Sequence, residues 1–142
     1  MKDPISDFIL QQTAASICCI DTNCMPYCFS CFYAYNSKEH LLYYKSAKDT
    51  CHSIRLKDKL QVAGTILPDK LQKMLVKGIQ FEGALISEED PLARHAATQY
   101  YLKNPMAVAI PGFIWTIRID NIKMTDSSLG FGKKITWSRQ AC

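Results

Sequence analysis

Between Tyr43 and Ser53 the chain reads "YYKSAKDTCHS": a strand-forming run gives way to hydroxyl and ammonium groups at Lys45, Ser46, Lys48 and Thr50. A helix is expected to start at once, capped by Asp49 or Thr50. Free backbone N–H groups at a helix start, joined by hydroxyls and a cation, suit a phosphate. A capped surface helix with solvated lysines would use the same residues, and on this segment alone both readings stand.

Cysteines are the other chemistry-bearing cluster. There are seven, and Cys28-x-x-Cys31, with Cys24 close by, has a spacing that zinc sites use. However, "PYCFSCFYAY" is aromatic and free of glycine, so it reads as a strand, in which residues three apart point to opposite faces. With no second Cys/His pair nearby, the expectation is no metal site and cysteines that serve as small buried hydrophobes. An odd count without a secretory leader also argues against a disulfide framework. His40, His52 and His95 lack partners at metalloprotease or triad spacing. Gly130-Phe131-Gly132 is only G-x-G and precedes a strand, unlike a dinucleotide-binding turn, which opens a helix. No catalytic residue can be assigned from these patterns.

The elements that must position these groups follow from periodicity. Residues 3–13 read as a short helix capped by Asp3, with Pro4 in its first turn and Ile5, Phe8 and Ile9 on one face. Strands are expected at 14–21, 26–35 and 41–47 as a meander, then a short helix with Ile54 and Cys51 facing inward. Strands resume at 60–67 and 71–86, with Gly78 and Gly83 as bulges or points of close approach. Residues 87–104 read as the best helix, started by Asp90-Pro91 and stopped by Asn104-Pro105. The alternation of Ile114, Thr116 and Arg118 against Trp115, Ile117 and Ile119 opens a terminal β segment of two strands.

At 142 residues, 48% of them apolar and 21% charged, the chain fits one globular domain spanning 1–142. Its longest apolar run, "MAVAIPGFIW", is broken by Pro111-Gly112, so no membrane span is expected. The start, Met-Lys-Asp-Pro, lacks an apolar signal segment, and a cytoplasmic location is the expectation. Seventeen basic against thirteen acidic residues leave a net charge of +4. The lysines are scattered, so anionic small ligands are favoured and nucleic acid is not.

The order of parts resembles the pyridoxamine 5'-phosphate oxidase-like FMN-binding split barrels over nearly the whole chain. Within that superfamily, "VAGTI" (62–66), "KGIQFEG" (77–83) and most specifically "TDSSLGFGKKITW" (125–137) are similar to a small bacterial group, the YhbP-like proteins. The resemblance implies a mainly β fold: a six- to seven-stranded antiparallel split β-barrel with flanking helices. It further implies a homodimer with FMN in the cleft between subunits. By the same likeness Ser46, Lys48, Thr50 and His52 become flavin-phosphate ligands, and the main chain of Ser30, Cys31 and Phe32 runs beside the isoalloxazine ring. Lys77 and Gln80 would reach the ring or ribityl chain, Trp115 would stand near the flavin, and Lys133 is a further candidate.

Departures from the family pattern matter too. Pyridoxamine phosphate oxidases resemble one another in a basic second strand and a Ser-Arg-Lys turn, where this chain has "CFSCFYA" and "DTC". Their C-terminal arginine and histidine pair has no counterpart in "GFGKKITWSR". The resemblance therefore implies a flavin-dependent oxidoreductase of unknown substrate, not pyridoxal phosphate synthesis. The alternative is a non-catalytic flavin- or haem-binding or sensing module of the same fold.

Overall fold

The structure, a computed structural model, describes residues 3–130 and 132–140, so Phe131 of the tail motif lies outside the described residues. The chain opens with α1 (Pro4–Gln11), whose first turn is closed by the Asp3 carboxylate accepting from the Ile5 amide at 3.1 Å. Ile5, Phe8 and Ile9 are buried as the spacing predicts. They join the barrel interior, where the Tyr33 hydroxyl donates to the Ile9 carbonyl.

Seven strands follow: β1 (Ala14–Ile20), β2 (Pro26–Asn36), β3 (Leu41–Ser46), β4 (Gln61–Ile66), β5 (Lys77–Ile86), β6 (Phe113–Asp126) and β7 (Lys134–Ser138). All pairings are antiparallel, in the order β3-β2-β1-β4-β5-β6-β7. A further pairing of β3 with β6 closes the first six into a barrel, which removes the exposed edges of an open sheet. β6 makes this possible through its length. One edge runs along β5; the other is divided between β3, which takes residues 113–118, and β7, which takes 121–125.

A bulge sets the phase of β6. Gly83 pairs with Ile119 while Glu82 pairs with Asn121, so Asp120 is an extra residue. Ile117 and Ile119 before it, and Ile122 and Met124 after it, therefore all face the core, which strict alternation would forbid. Gly83 is required at this point because a Cβ there would collide with the Arg118 carbonyl. β3 is buried on both faces: Leu42 and Tyr44 fill the barrel, while Leu41 and Tyr43 lie under α3 (Ala96–Lys103) with Ala96 and Tyr100.

Several expectations are corrected. In α2 (Cys51–Asp58) the inward residues are Ser53 and Leu56; Ile54 is 53% exposed and Cys51 is also exposed. The strand expected from residue 71 begins at Lys77, and Leu71, Met74, Leu75 and Val76 are exposed ahead of it. The helix expected over 87–104 is two pieces, a 3-10 turn at Pro91–Ala93 capped by Asp90 and then α3. Finally, Cys18 and Cys28 are not buried hydrophobes. They stand directly opposite on β1 and β2, with Cα atoms 4.2 Å apart, and are joined by a disulfide. Cys19 is buried as expected, while Cys24 is exposed in the β1–β2 turn. Among the described residues no helix is long and apolar enough to cross a membrane.

Candidate functional site

The barrel is split between β2 and β3. β2 pairs with β1 from Pro26 to Phe32, but with β3 only through Tyr33 to Asn36. Past Tyr44, β3 keeps its pairing with β6 alone, Lys45 opposite Ile114 and Ser46 opposite Phe113. The two strands part at Phe32 and Lys45, and a cavity of about 350 Å³ lies between them. Its β2 wall is Phe29, Ser30, Cys31 and Phe32; its β3 wall is Tyr44, Lys45 and Ser46. His52, Tyr100 and the segment from Ala107 to Pro111 complete it. The β3-facing edge of β2 along this wall has no strand partner among the described residues, so its main-chain groups are available to a bound molecule.

The floor is built by the turn from β3 into α2. Thr50 caps the helix, its hydroxyl accepting from the Ser53 amide at 3.3 Å, and the Ser53 hydroxyl donates to the Ala47 carbonyl at 2.7 Å. These bonds fix Ser46, whose Oγ lies 2.8 Å from His52 Nε2. The His52 ring stacks on Phe29 at a centroid distance of 3.7 Å, tying α2 to the free part of β2. From behind, the Trp115 indole N–H donates to the Ser46 carbonyl at 2.9 Å.

Lys45 is the one ammonium among the lining residues. Its Nζ donates to the Tyr101 hydroxyl at 2.7 Å and the Ala107 carbonyl at 2.8 Å. Both acceptors are formally neutral and an ammonium has three donors, so its charge and one N–H remain for a ligand. Burial pushes the Cys31 thiol up to about 12 and holds the His52 imidazole below its ordinary value, so both are neutral near pH 7. The Tyr44 side chain lies behind the β3 wall, fully buried in the barrel core, and its hydroxyl has no hydrogen-bond partner among the described residues.

Of the residues singled out from sequence, the structure brings Ser30, Cys31, Phe32, Ser46 and His52 to this cavity. Thr50 lies 3.3 Å from Ser46 but spends its hydroxyl on its own helix. Lys48 and Trp115 line a second cavity on the other side of the turn, with the Lys48 ammonium 4.1 Å above the Phe113 ring. Lys77 lies 3.6 Å from Asp126, and Gln80 is on the outer sheet face beside Thr65 and Lys123. Lys133 is exposed in the β6–β7 turn. The tail motif is a joint: Asp126 caps the turn after β6 through Ser128, and Ser127 bonds Val76 at the head of β5. Lys45, one of the groups of the strand-to-helix turn singled out from sequence, also lines the cavity, whereas Tyr44, Phe29 and Tyr100 were not anticipated. Lys45 shares the parity of Leu41 and Tyr43, which aims it toward the α3 side, but only the register and the position of α3 show this. Among the described residues no three His, Cys, Asp or Glu side chains converge.

A six-stranded barrel closed by a divided β6, opened between β2 and β3, and floored by a strand-to-helix turn makes this an antiparallel split β-barrel with flanking helices. The chain belongs to the UPF0306 family. A UPF0306 protein of Photorhabdus laumondii is 34% identical over 135 residues, covering 95% of this chain and 94% of the relative. One of Yersinia pestis is 33% identical over 135 residues, covering 95% and 91%. No family model matches the chain. Among solved structures, the heme-binding protein of Mycobacterium smegmatis superposes with a TM-score of 0.76 at 10% identity, over 92% of this chain. This chain spans only 55% of that protein's length. A FAD-binding protein of Mesorhizobium loti gives a TM-score of 0.65 at 14% identity, covering 88% of this chain and 95% of the other. The heme storage protein HutZ of Vibrio cholerae gives 0.58 at 10% identity, over 82% and 87%. At these identities the likeness is one of fold.

Proposed function

We propose that the cavity between β2 and β3 holds the flavin of FMN, that a second copy of the chain covers it, and that the protein is a flavin-dependent oxidoreductase within the YhbP-like group. One observation carries the reading: the unpaired edge of β2 from Phe29 to Phe32 faces Lys45, Ser46 and His52 across an aromatic-lined cavity. An isoalloxazine ring needs a flat slot with donors and acceptors along one edge, and a free strand edge supplies them. The phosphate needs a cation and hydroxyl or N–H donors, which Lys45, Ser46 and His52 offer. When bound, the flavin would supply hydride or electron transfer at N5. The chain's own part is to hold the ring edge, neutralise the phosphate and keep water out. No side-chain nucleophile is needed.

The second subunit is argued from exposure. Phe32, Met106, Val108 and Ile110 are 61%, 86%, 66% and 61% exposed, on or beside the walls of this cavity. Large apolar side chains clustered beside a ligand cavity fit a covered interface.

A second reading, haem binding, draws on one feature, the neutral His52 imidazole in an aromatic pocket. Its Nε2 is engaged by Ser46 and its ring lies flat on Phe29, so ligating iron through Nε2 would break the Ser46 contact. Titrating the purified protein separately with FMN and with haemin tests both. Saturable quenching of flavin fluorescence at one FMN per chain, in a protein that sediments as a dimer, is the expected result. Saturation by haemin with a Soret shift and no flavin binding would overturn it in favour of the second reading.

A further inference from the structure

Behind the β3–α2 turn lies a second cavity, of about 490 Å³, which the flavin reading does not use. Its walls come from five places in the chain: Lys48 in the β3–α2 turn, α2 with the loop after it, the end of β5 with the residues that follow, the segment from Ala93 to Ala96, and the start of β6. The depth is apolar. Leu56, Leu85, Ala93 and Ala96 are almost fully buried there, and Phe113 and Trp115 form one side. The volume falls in the range of about 300–1,000 Å³ typical of small-molecule sites.

The rim is charged and unbalanced. Lys48 and Lys57 line the cavity against the single carboxylate of Glu88, and neither lysine makes an ion pair among the described residues. The Lys48 ammonium rests over the Phe113 ring at 4.1 Å instead, a weaker contact than a carboxylate would offer at the same place. An apolar well with spare positive charge at its mouth selects a molecule with an apolar body and one anionic end.

We propose that this cavity binds a small amphipathic carboxylate, its apolar body against Leu56, Leu85 and Trp115 and its carboxylate at Lys48 and Lys57. The site stands whether or not the flavin reading is correct. Because the Trp115 indole N–H holds the Ser46 carbonyl, a ligand packed on Trp115 would also bear on the turn that floors the other cavity.

The chain has two tryptophans, so Trp137→Phe leaves Trp115 as the only indole emitter. Octanoate and octanol, a charged and a neutral probe of equal apolar length, are titrated into this variant and Trp115 emission is followed. Octanoate should give a saturable change at one molecule per chain and bind about tenfold more tightly than octanol, the scale of a charge-assisted hydrogen bond. Adding Lys48→Gln and Lys57→Gln should remove that advantage while leaving octanol binding and the melting temperature unchanged. Absence of saturation, equal binding of the two probes, or an octanoate affinity indifferent to the lysine substitutions would each overturn the proposal. Should Trp137→Phe fail to fold, calorimetric titration of the unsubstituted protein against the lysine variants gives the same comparison.

Discussion

The indole N–H of Trp115 lies 2.9 Å from the carbonyl oxygen of Ser46 and pins β6 to the last residue of β3, just where β3 has left β2. The bond ties the end of β3 to β6, with which β3 is still paired after it has left β2. Trp115→Phe keeps most of the apolar contact and removes the donor, so it should cost about 1 kcal/mol of stability, the usual net value of one hydrogen bond. Urea unfolding reads this. FMN affinity should fall in the same variant, because Ser46 would no longer be held; an FMN affinity equal to wild type would show that the bond does not position the site.

On the flavin reading, Lys45 should separate phosphate binding from ring binding. It is fixed by two neutral acceptors and has one N–H to spare. Lys45→Gln keeps a polar group of similar reach without the charge. FMN affinity should drop about tenfold or more, the value of a hydrogen bond to a charged group, while riboflavin, which has no phosphate, should bind the variant as it binds wild type. Equal losses for both ligands would remove Lys45 from the phosphate.

Thr50 is a structural residue first. As the cap of α2 it accepts from the Ser53 amide, and Thr50→Ala should destabilise the protein by about 1 kcal/mol, whereas Thr50→Ser should be close to wild type. Thermal or urea unfolding of both variants checks this. A Ser variant as unstable as the Ala variant would mean that the methyl group, not the cap, matters.

The contrast between Thr50 and Lys45 shows what the sequence could and could not tell. Strand positions were legible because alternation or continuous apolar character is enforced by burial on one face or both, as in β1 and β3. The strand-to-helix turn and its Thr50 cap were legible because cap residues have a local signature. Lys45 as a cavity wall was not, since it depends on β2 ending its pairing with β3 at Tyr33, a feature of register. The Cys18–Cys28 pairing hid for the same reason: residues ten apart meet only when the hairpin register is known. Ile54 misled because its helix is covered on the Ser53 and Leu56 side, and an isolated isoleucine does not identify the buried face. The described part of "TDSSLGFGKKITW" joins β6 and β7 to β5 and contributes no residue to the cavity wall.

Two histidines set a pH dependence. Burial holds both His40 and His52 below the ordinary imidazole value, and Arg139 adds to the effect at His40. In the unfolded chain each would take up a proton near pH 6.5 that the folded protein refuses. The unfolded state then binds more protons, so stability rises with pH in this window and is lost as pH falls below about 6.5 toward the lower folded values. Asp69 and Asp126 are held below the ordinary carboxylate value and act only in a separate window below about pH 4. Urea midpoints should therefore be lower at pH 5.5 than at pH 7.5, and His40→Gln with His52→Gln should shrink that difference. An undiminished difference in the double variant would assign it elsewhere.

Thiol reactivity tests the hairpin register directly. Attack on an alkylating agent requires an accessible thiolate. Cys24 and Cys51 are exposed and should label first, while Cys19 is buried and the Cys31 thiol is pushed up to about 12, so both should label slowly in the folded protein. Cys18 and Cys28 are joined across β1 and β2 and should label only after reduction. Peptide mapping of protein purified in air should accordingly recover one peptide containing Cys18 linked to one containing Cys28. If the β1–β2 hairpin were shifted by one residue, Cys19 would take the place of Cys18 opposite Cys28 and the barrel and solvent faces of β1 would exchange. A Cys19–Cys28 link would thus overturn the register on which the open edge of β2 depends.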